Sequence, residues 1–155
     1  MKTLLLCLLL VTAPLAHAAE RLTDENIRAM YAQMIAAAQD LDIEGVLTHM
    51  SDDVQINIQA PAAMGGDMAM DKRQYREMLT QGWSGVDDYR LEVDIQQIDI
   101  AADGQSASVR DLTSESMRIQ GVQIQANTLE TATLQLLEGK VKFSRIEGVI
   151  QPLDR

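Results

Sequence analysis

"SASVRDLTSESMRIQGVQIQANTLETATLQLLEGKVKFSRIEG", residues 106–148, reads as two β-hairpins laid end to end. Apolar and polar residues alternate on both sides of Gln120-Gly121 and again around Glu138-Gly139. An X-Gly pair between alternating runs is a two-residue hairpin signal. Taking Gln120-Gly121 as the first turn fixes a register in which paired residue numbers add to 241, so that Ala107 faces Leu134, Val109 faces Ala132 and Asp111 faces Glu130. The second turn makes paired numbers add to 277, so that Leu136 faces Val141, Leu134 faces Phe143 and Ala132 faces Arg145. All these residues share one face of the sheet. That face is apolar near the second turn and becomes polar at Asp111, Glu130 and Arg145.

Upstream, "ADGQ" (102–105) is a turn, preceded by a strand in which Tyr89, Leu91, Val93 and Ile95 alternate with polar residues. Ile98 and Ile100 have the opposite parity, and a slip of one residue inside a strand signals a bulge. Val54, Ile56 and Ile58 alternate in the same way and give an earlier strand. Three helices are expected. In "LTDENIRAMYAQMIAAAQD" (22–40), Thr23 is the N-cap, Leu22 and Ile27 form a hydrophobic staple, and Ile27, Met30, Tyr31, Met34, Ile35 and Ala38 make an apolar stripe. "DIEGVLTHM" (42–50) is a short helix capped by Asp42. "DKRQYREMLTQGW" (71–83) has Asp71 as N-cap, Gln74 reaching back, Met70 stapled to Tyr75, and a stripe ending at Trp83. The order is α-α-β-α followed by a four-stranded meander. Helices segregated from an antiparallel sheet make an α+β fold. Bulges let the sheet curl around the three helices.

The first residues set the compartment. Lys2, the apolar run "LLLCLLLV" (4–11), Pro14 and "AHA" (16–18) have the layout of a secretory leader, with cleavage expected after Ala18. The run is too short to span a bilayer, and Cys7 sits mid-run without the small residue before it that a lipoprotein signal needs. A single domain, 19–155, follows. It contains no cysteine and therefore no disulfide. Loss of Lys2 leaves 12 basic residues against 23 acidic, a net charge of −11. That sign excludes binding to a phosphate backbone and disfavours anionic membrane surfaces. The expected location is periplasmic or secreted, with no stable membrane insertion after cleavage.

"YAQMIAAAQDLDIEGVLTHMSDDVQINI" (31–58) resembles the opening of the SnoaL-like, nuclear-transport-factor-like cone proteins: a long helix, a second helix and the first strand. Asp42, Val46, Leu47, Asp52, Asp53 and Val54 occupy that pattern. "MDKRQYREMLTQGW" (70–83) resembles the third helix and "LQLLEGKVKFSRIEG" (134–148) the final hairpin, where many members carry a tryptophan in place of Val141. The resemblance implies a curled antiparallel sheet packed on three helices as a cone. The superfamily includes isomerases, dehydratases, cyclases, binding proteins and transport factors, so it does not fix a function. Ketosteroid isomerase members use a tyrosine in the first helix and a carboxylate at the end of the first strand. An ungapped match through Asp42–Glu44 puts Met34 and Ile58 at those positions, and neither can donate or remove a proton.

The chemistry-bearing candidates are few. Asp111 and Glu130, opposed inside a dry cavity, would not both ionise, and Arg145 would hold one of them charged; the three form a candidate catalytic set. Against it, Leu112, Leu129 and Ile146 lie one row on with opposite parity. Aligned bulges would turn the two acids to water; as a separate reading, the same apolar residues fit a dimer interface on the back of the sheet. His49, the only histidine after the leader, lies near Asp52 and Asp53 in sequence, close to a helix end. Asp52-Asp53 and Asp87-Asp88 match no calcium loop. "PAAMGGDMAM" (61–70) admits three readings: soft ligands for Cu(I), a flap over a cavity mouth, or loop packing. The flap is preferred, so Met34, Met64, Met68, Trp83 and Phe143 are the expected ligand-binding residues, with no metal and no cofactor. The expected role is binding of a small apolar or amphipathic molecule in the cone. An isomerase, cyclase or hydrolase using the carboxylate pair, and a non-catalytic homodimeric module, are the alternatives.

Overall fold

Each helix starts where the sequence supplies a cap. In the computed structural model, which describes residues 20–62 and 65–151, α1 (Asp24–Gln39) is preceded by Thr23, whose side chain accepts from the Asn26 N–H while Asn26 reaches back to the Thr23 N–H. Asp42 caps α2 (Ile43–Leu47). Asp71 and Gln74 form the same reciprocal box at α3 (Lys72–Gly82). Leu22 and Ile27, the stapled pair, are 2 % and 0 % exposed. The expected leader (1–18) and Met64 lie outside the described residues. Among the described residues no helix is long and apolar enough to cross a membrane.

The strands are β1 (Met50–Gln59), β2 (Met68–Met70), β3 (Val86–Ile100), β4 (Ser106–Ile119), β5 (Val122–Leu137) and β6 (Lys140–Gln151). They form one curled sheet in the order β2-β1-β6-β5-β4-β3, and the three helices cover its inner face. The fold is α+β, with one strand more than the sequence suggests. Met68–Met70 pairs antiparallel with Ile56–Ile58 of β1. Its three residues are too few to show a period. β1 itself lies parallel to β6.

The turns take the form their sequences ask for. Gln120 and Gly121 have φ of 50° and 80°, and Glu138 and Gly139 have 51° and 72°. Two successive positive φ values define the type I′ hairpin turn. From Ile119↔Val122 to Ser106↔Gln135 the β4–β5 ladder keeps the 241 register without a break. No bulge turns Asp111 and Glu130 outward; the two are paired and face the helices. The slip between Ile95 and Gln97 on β3 sits where the parity change places it.

The β5–β6 ladder differs from expectation. It follows the 277 register through Leu136↔Val141 and Leu134↔Phe143, then shifts, so that Thr133 pairs with Arg145 and Ala132 with Ile146. Ser144 is the extra residue, and its hydroxyl donates to the Thr133 carbonyl at 3.2 Å. A one-residue bulge exchanges the two faces of everything beyond it. Arg145 is therefore turned out of the cone, half exposed, 3.7 Å from Glu147. Ile146, assigned to the back of the sheet with Leu112 and Leu129, instead lines the interior. Leu112 and Leu129 do face each other on the outer side, with Val149 beside Leu129.

Candidate functional site

The inner face of the sheet and the helical stripes do not close completely. They leave a cavity of about 240 Å³. Met34 from α1, Met68 from β2, Trp83 at the end of α3 and Phe143 from β6 all line it, so four of the five expected ligand-binding residues converge on one space. Met68 does so as part of a hydrogen-bonded strand rather than as a flexible flap. Met50, Met70 and Met78 complete a methionine-rich wall. Unbranched thioethers adapt to guests of different shape. Trp83 and Tyr89 meet edge to face at 5.4 Å, and Tyr31 and Phe143 do the same at 5.2 Å.

The polar groups come from β4 and β5. Asp111, Thr113 and Glu115 alternate inward on β4, opposite Glu130, Thr128 and Ala126 of β5. Asp111 is 1 % exposed. It accepts from the Tyr31 hydroxyl at 3.0 Å and from Thr113 Oγ1 at 3.1 Å. Burial still pushes its carboxyl above the ordinary range, and the two hydrogen bonds only partly offset that. Glu115 is raised by burial too, eased by the neighbouring Tyr89 hydroxyl. Glu130 is pushed up to about 8, first by burial and then by the charges of Asp111 and Glu115. None of the described residues donates a hydrogen bond to its carboxyl. Tyr31, Tyr75 and Tyr89 are held firmly protonated, chiefly by burial and then by the same carboxylates.

Gly148 pairs with Glu130 on β6, where the neighbouring side chains leave no space for a Cβ. A Cβ there would come within 2.8 Å of Ile58 Cδ1 and 2.9 Å of Thr128 Cγ2. Removing the Tyr31 hydroxyl leaves buried Asp111 one donor short. Tyr31→Phe is expected to cost about 1–3 kcal/mol. The loss should be largest at neutral pH and shrink in acid as Asp111 protonates; chemical denaturation at both ends of that range measures it.

Arg145 cannot serve the site, since the Ser144 bulge removes it. Its expected role, holding one carboxylate charged, passes to neutral donors: Tyr31 and Thr113 for Asp111. Tyr31 was legible only as one position of an apolar stripe. It stands one turn before Met34, so α1 does present a hydroxyl to the cavity wall. Met34 and Ile58 are lining residues. Glu115 carried no signal beyond its parity with Asp111. His49 is half-buried beside Lys142; burial and that cation lower its pKa, and no carboxylate offsets them. Among the described residues no group of three His, Cys, Asp or Glu side chains is placed to hold a metal ion.

Solved structures superpose on nearly the whole described chain. A ketosteroid isomerase-like protein from Erwinia carotovora atroseptica matches with a TM-score of 0.65 at 17 % identity, covering 83 % of this chain and 96 % of its own. A conserved protein from Planctomyces limnophilus matches at 0.69 and 14 %, covering 83 % and 96 %. The chain has the SnoaL-like, nuclear-transport-factor-like cone fold. The hexachlorocyclohexane dehydrochlorinase LinA-type3 from Novosphingobium barchaimii shares this cone with a TM-score of 0.65 at 10 % identity, covering 84 % of this chain and 87 % of its own. At the level of sequence, no family model and no curated protein matches. In the cone fold as this chain builds it, the closed, apolar end holds Phe143 and Leu134, and the carboxyl groups stand further along the same sheet face.

Proposed function

We propose that the protein binds a small, mainly apolar or amphipathic molecule inside the cone, with the polar end of the guest against Glu130 and Glu115. The observation that carries this reading is the cavity itself: methionine and aromatic walls around a carboxyl group, Glu130, to which none of the described residues donates a hydrogen bond. Apolar clefts with a few convergent polar groups are the usual form of a ligand site, and about 240 Å³ is just below the usual range of about 300–1,000 Å³. Trp83 is the only tryptophan of the chain and lines the cavity, so its emission reports occupancy. A panel of small amphipathic molecules should include some that shift Trp83 emission and raise the melting temperature. Met34→Trp, which fills the space, should abolish both effects. A panel that moves neither signal would end the binding reading.

A second reading has its own support. A carboxyl group whose pKa is pushed up to about 8 by burial in a largely apolar cavity suits a general acid or base. Similar structures are named as an isomerase-like protein and a dehydrochlorinase. In that case Glu130 moves the proton, Asp111 and Tyr31 fix its surroundings, and Glu130→Gln removes turnover while leaving binding intact.

Export belongs to the same proposal. The leader features at 1–18 predict a mature chain beginning at Ala19. Intact mass of the protein from the periplasmic fraction should show that start; a soluble cytosolic product retaining Met1–Ala18 would refute it.

A further inference from the structure

The charges around the cavity are all of one sign. Glu115 and Glu130 line it and Asp111 stands directly behind, while no Lys, Arg or His is among the described lining residues. The nearest sequence candidate for a balancing cation, Arg145, is turned outward. Tyr75, Tyr89 and Trp83 bring aromatic rings to the same space. Carboxyl groups joined by aromatic faces, with apolar walls beyond, are the surroundings that recognise an organic cation.

We propose that the natural guest of the cone is a lipophilic ammonium compound, its nitrogen held by Glu130, with Glu115 adding negative charge further along the sheet and the rings of Tyr75, Tyr89 and Trp83 beside it. The proposal rests on the reading of the cone as a ligand cavity and narrows it to one chemical class. Glu130 has an acceptor that nothing in the described protein satisfies, and an N–H⁺ donor satisfies it. An inorganic cation fits less well. Glu115 lies four paired rows along the sheet from Asp111 and Glu130, so the oxygens are spread out rather than gathered around one point.

The charge state of the empty cavity gives the binding event a signature. The groups facing Glu130 are Asp111 and Glu115 from β4, Tyr31 from α1 and Tyr75 from α3, with Tyr89 of β3 beside Glu115; β1, β2 and β6 contribute only uncharged lining residues. All these neighbours are acids or neutral hydroxyls. Glu130 is thus largely protonated at neutral pH when the cavity is empty. A cation entering beside it favours the carboxylate, and a proton leaves to solvent. A neutral guest of the same shape releases none.

The test uses three probes of one shape, 4-phenylbutylamine, 4-phenylbutanol and 4-phenylbutyrate, followed by Trp83 emission and by calorimetry at pH 7 in two buffers of different ionisation enthalpy. The amine should bind about tenfold or more tighter than the alcohol, as a charge-assisted hydrogen bond allows. Its apparent enthalpy should differ between the buffers in the sense of proton release, and the butyrate should not bind. Glu130→Gln should remove the amine's advantage and its proton release while leaving alcohol binding nearly unchanged. Alcohol binding as tight as the amine, or an amine preference that survives Glu130→Gln, would overturn the cationic guest and leave the cavity reading standing. Failure of all three probes to bind would count against both.

Discussion

Inserting one alanine between Ser144 and Arg145 should destabilise the domain on the order of 4 kcal/mol, a large part of the total of about 5–15 kcal/mol available to a protein this size. Deleting Ser144 instead would join Phe143 to Arg145 and leave every native pair in place, whereas the added residue takes the place opposite Thr133 and moves the ladder beyond it into the 277 register. Arg145 would then face Ala132, and Glu147 would face Glu130 in place of Gly148. Ile146 and Ile150, both in the cavity wall, would turn to water. The incoming groups are charged and bulky, and the space they would enter is tight: even a methyl group at position 148 meets Ile58 at 2.8 Å. Burying unpaired charge and exposing apolar area act in the same direction. Ser144→Ala keeps the chain length and the bulge and loses only the 3.2 Å bond to the Thr133 carbonyl, at about 1 kcal/mol or less. Urea denaturation of the two variants separates these effects. An insertion variant within about 1 kcal/mol of the parent would mean that the residue count after Phe143 does not set the facing of β6.

Glu130→Gln should have the opposite sign and stabilise the fold at neutral and alkaline pH by roughly 1–3 kcal/mol. Glu130 has a folded pKa of about 8, well above that of an exposed glutamate. Between the two values the folded state binds more protons than the unfolded chain, so stability falls as pH rises, and the fall ends above the folded pKa. Glutamine has nearly the same shape and cannot ionise, so it lacks that slope. The two proteins should therefore be alike near pH 4, diverge through neutrality, and keep a constant gap above about pH 9. Melting temperatures across that range read the effect directly. Parallel curves for parent and variant would show that Glu130 ionises as it does in water and would remove the basis for both the acid–base reading and proton release on cation binding.

The two hairpin turns were the most legible part of the molecule, because a two-residue turn both stops a strand and fixes its register. Every β4–β5 pair follows from Gln120-Gly121. The helix starts at Thr23, Asp42 and Asp71 were legible for a similar reason: a cap is a local chemical requirement met within three residues. Ser144 was not legible. On β3 the parity change passes through Gln96, between apolar runs on both sides. On β6 the residues after Phe143 offer only Ile146 and Ile150 against Val149, and glycine at 148 hides the phase. The misplacement of Arg145 follows from that. Tyr31 was misread for a different reason. Its position in the α1 stripe describes the ring, which does pack on Phe143, and says nothing about the hydroxyl. The partner of that hydroxyl, Asp111, lies 80 residues away and is brought close only by the curl of the sheet.

β1 lies between β2 and β6, and pairs with a strand that begins some eighty residues after it ends. The β1–β6 ladder therefore cannot form on a chain that stops before Lys140. Contacts of such wide sequence separation slow folding, because a long loop must close before any pairing compensates its lost entropy. Refolding should therefore occur in milliseconds to seconds rather than microseconds, as for other topologies dominated by distant pairing. A chain that stops short of Lys140 has three capped helices, the β3–β5 meander and the short β2 beside β1, but lacks the strand that joins them, and Val54 and Ile56 of β1 are almost wholly covered in the finished protein. Such a chain stays open, and its commitment to the native topology comes only with β6.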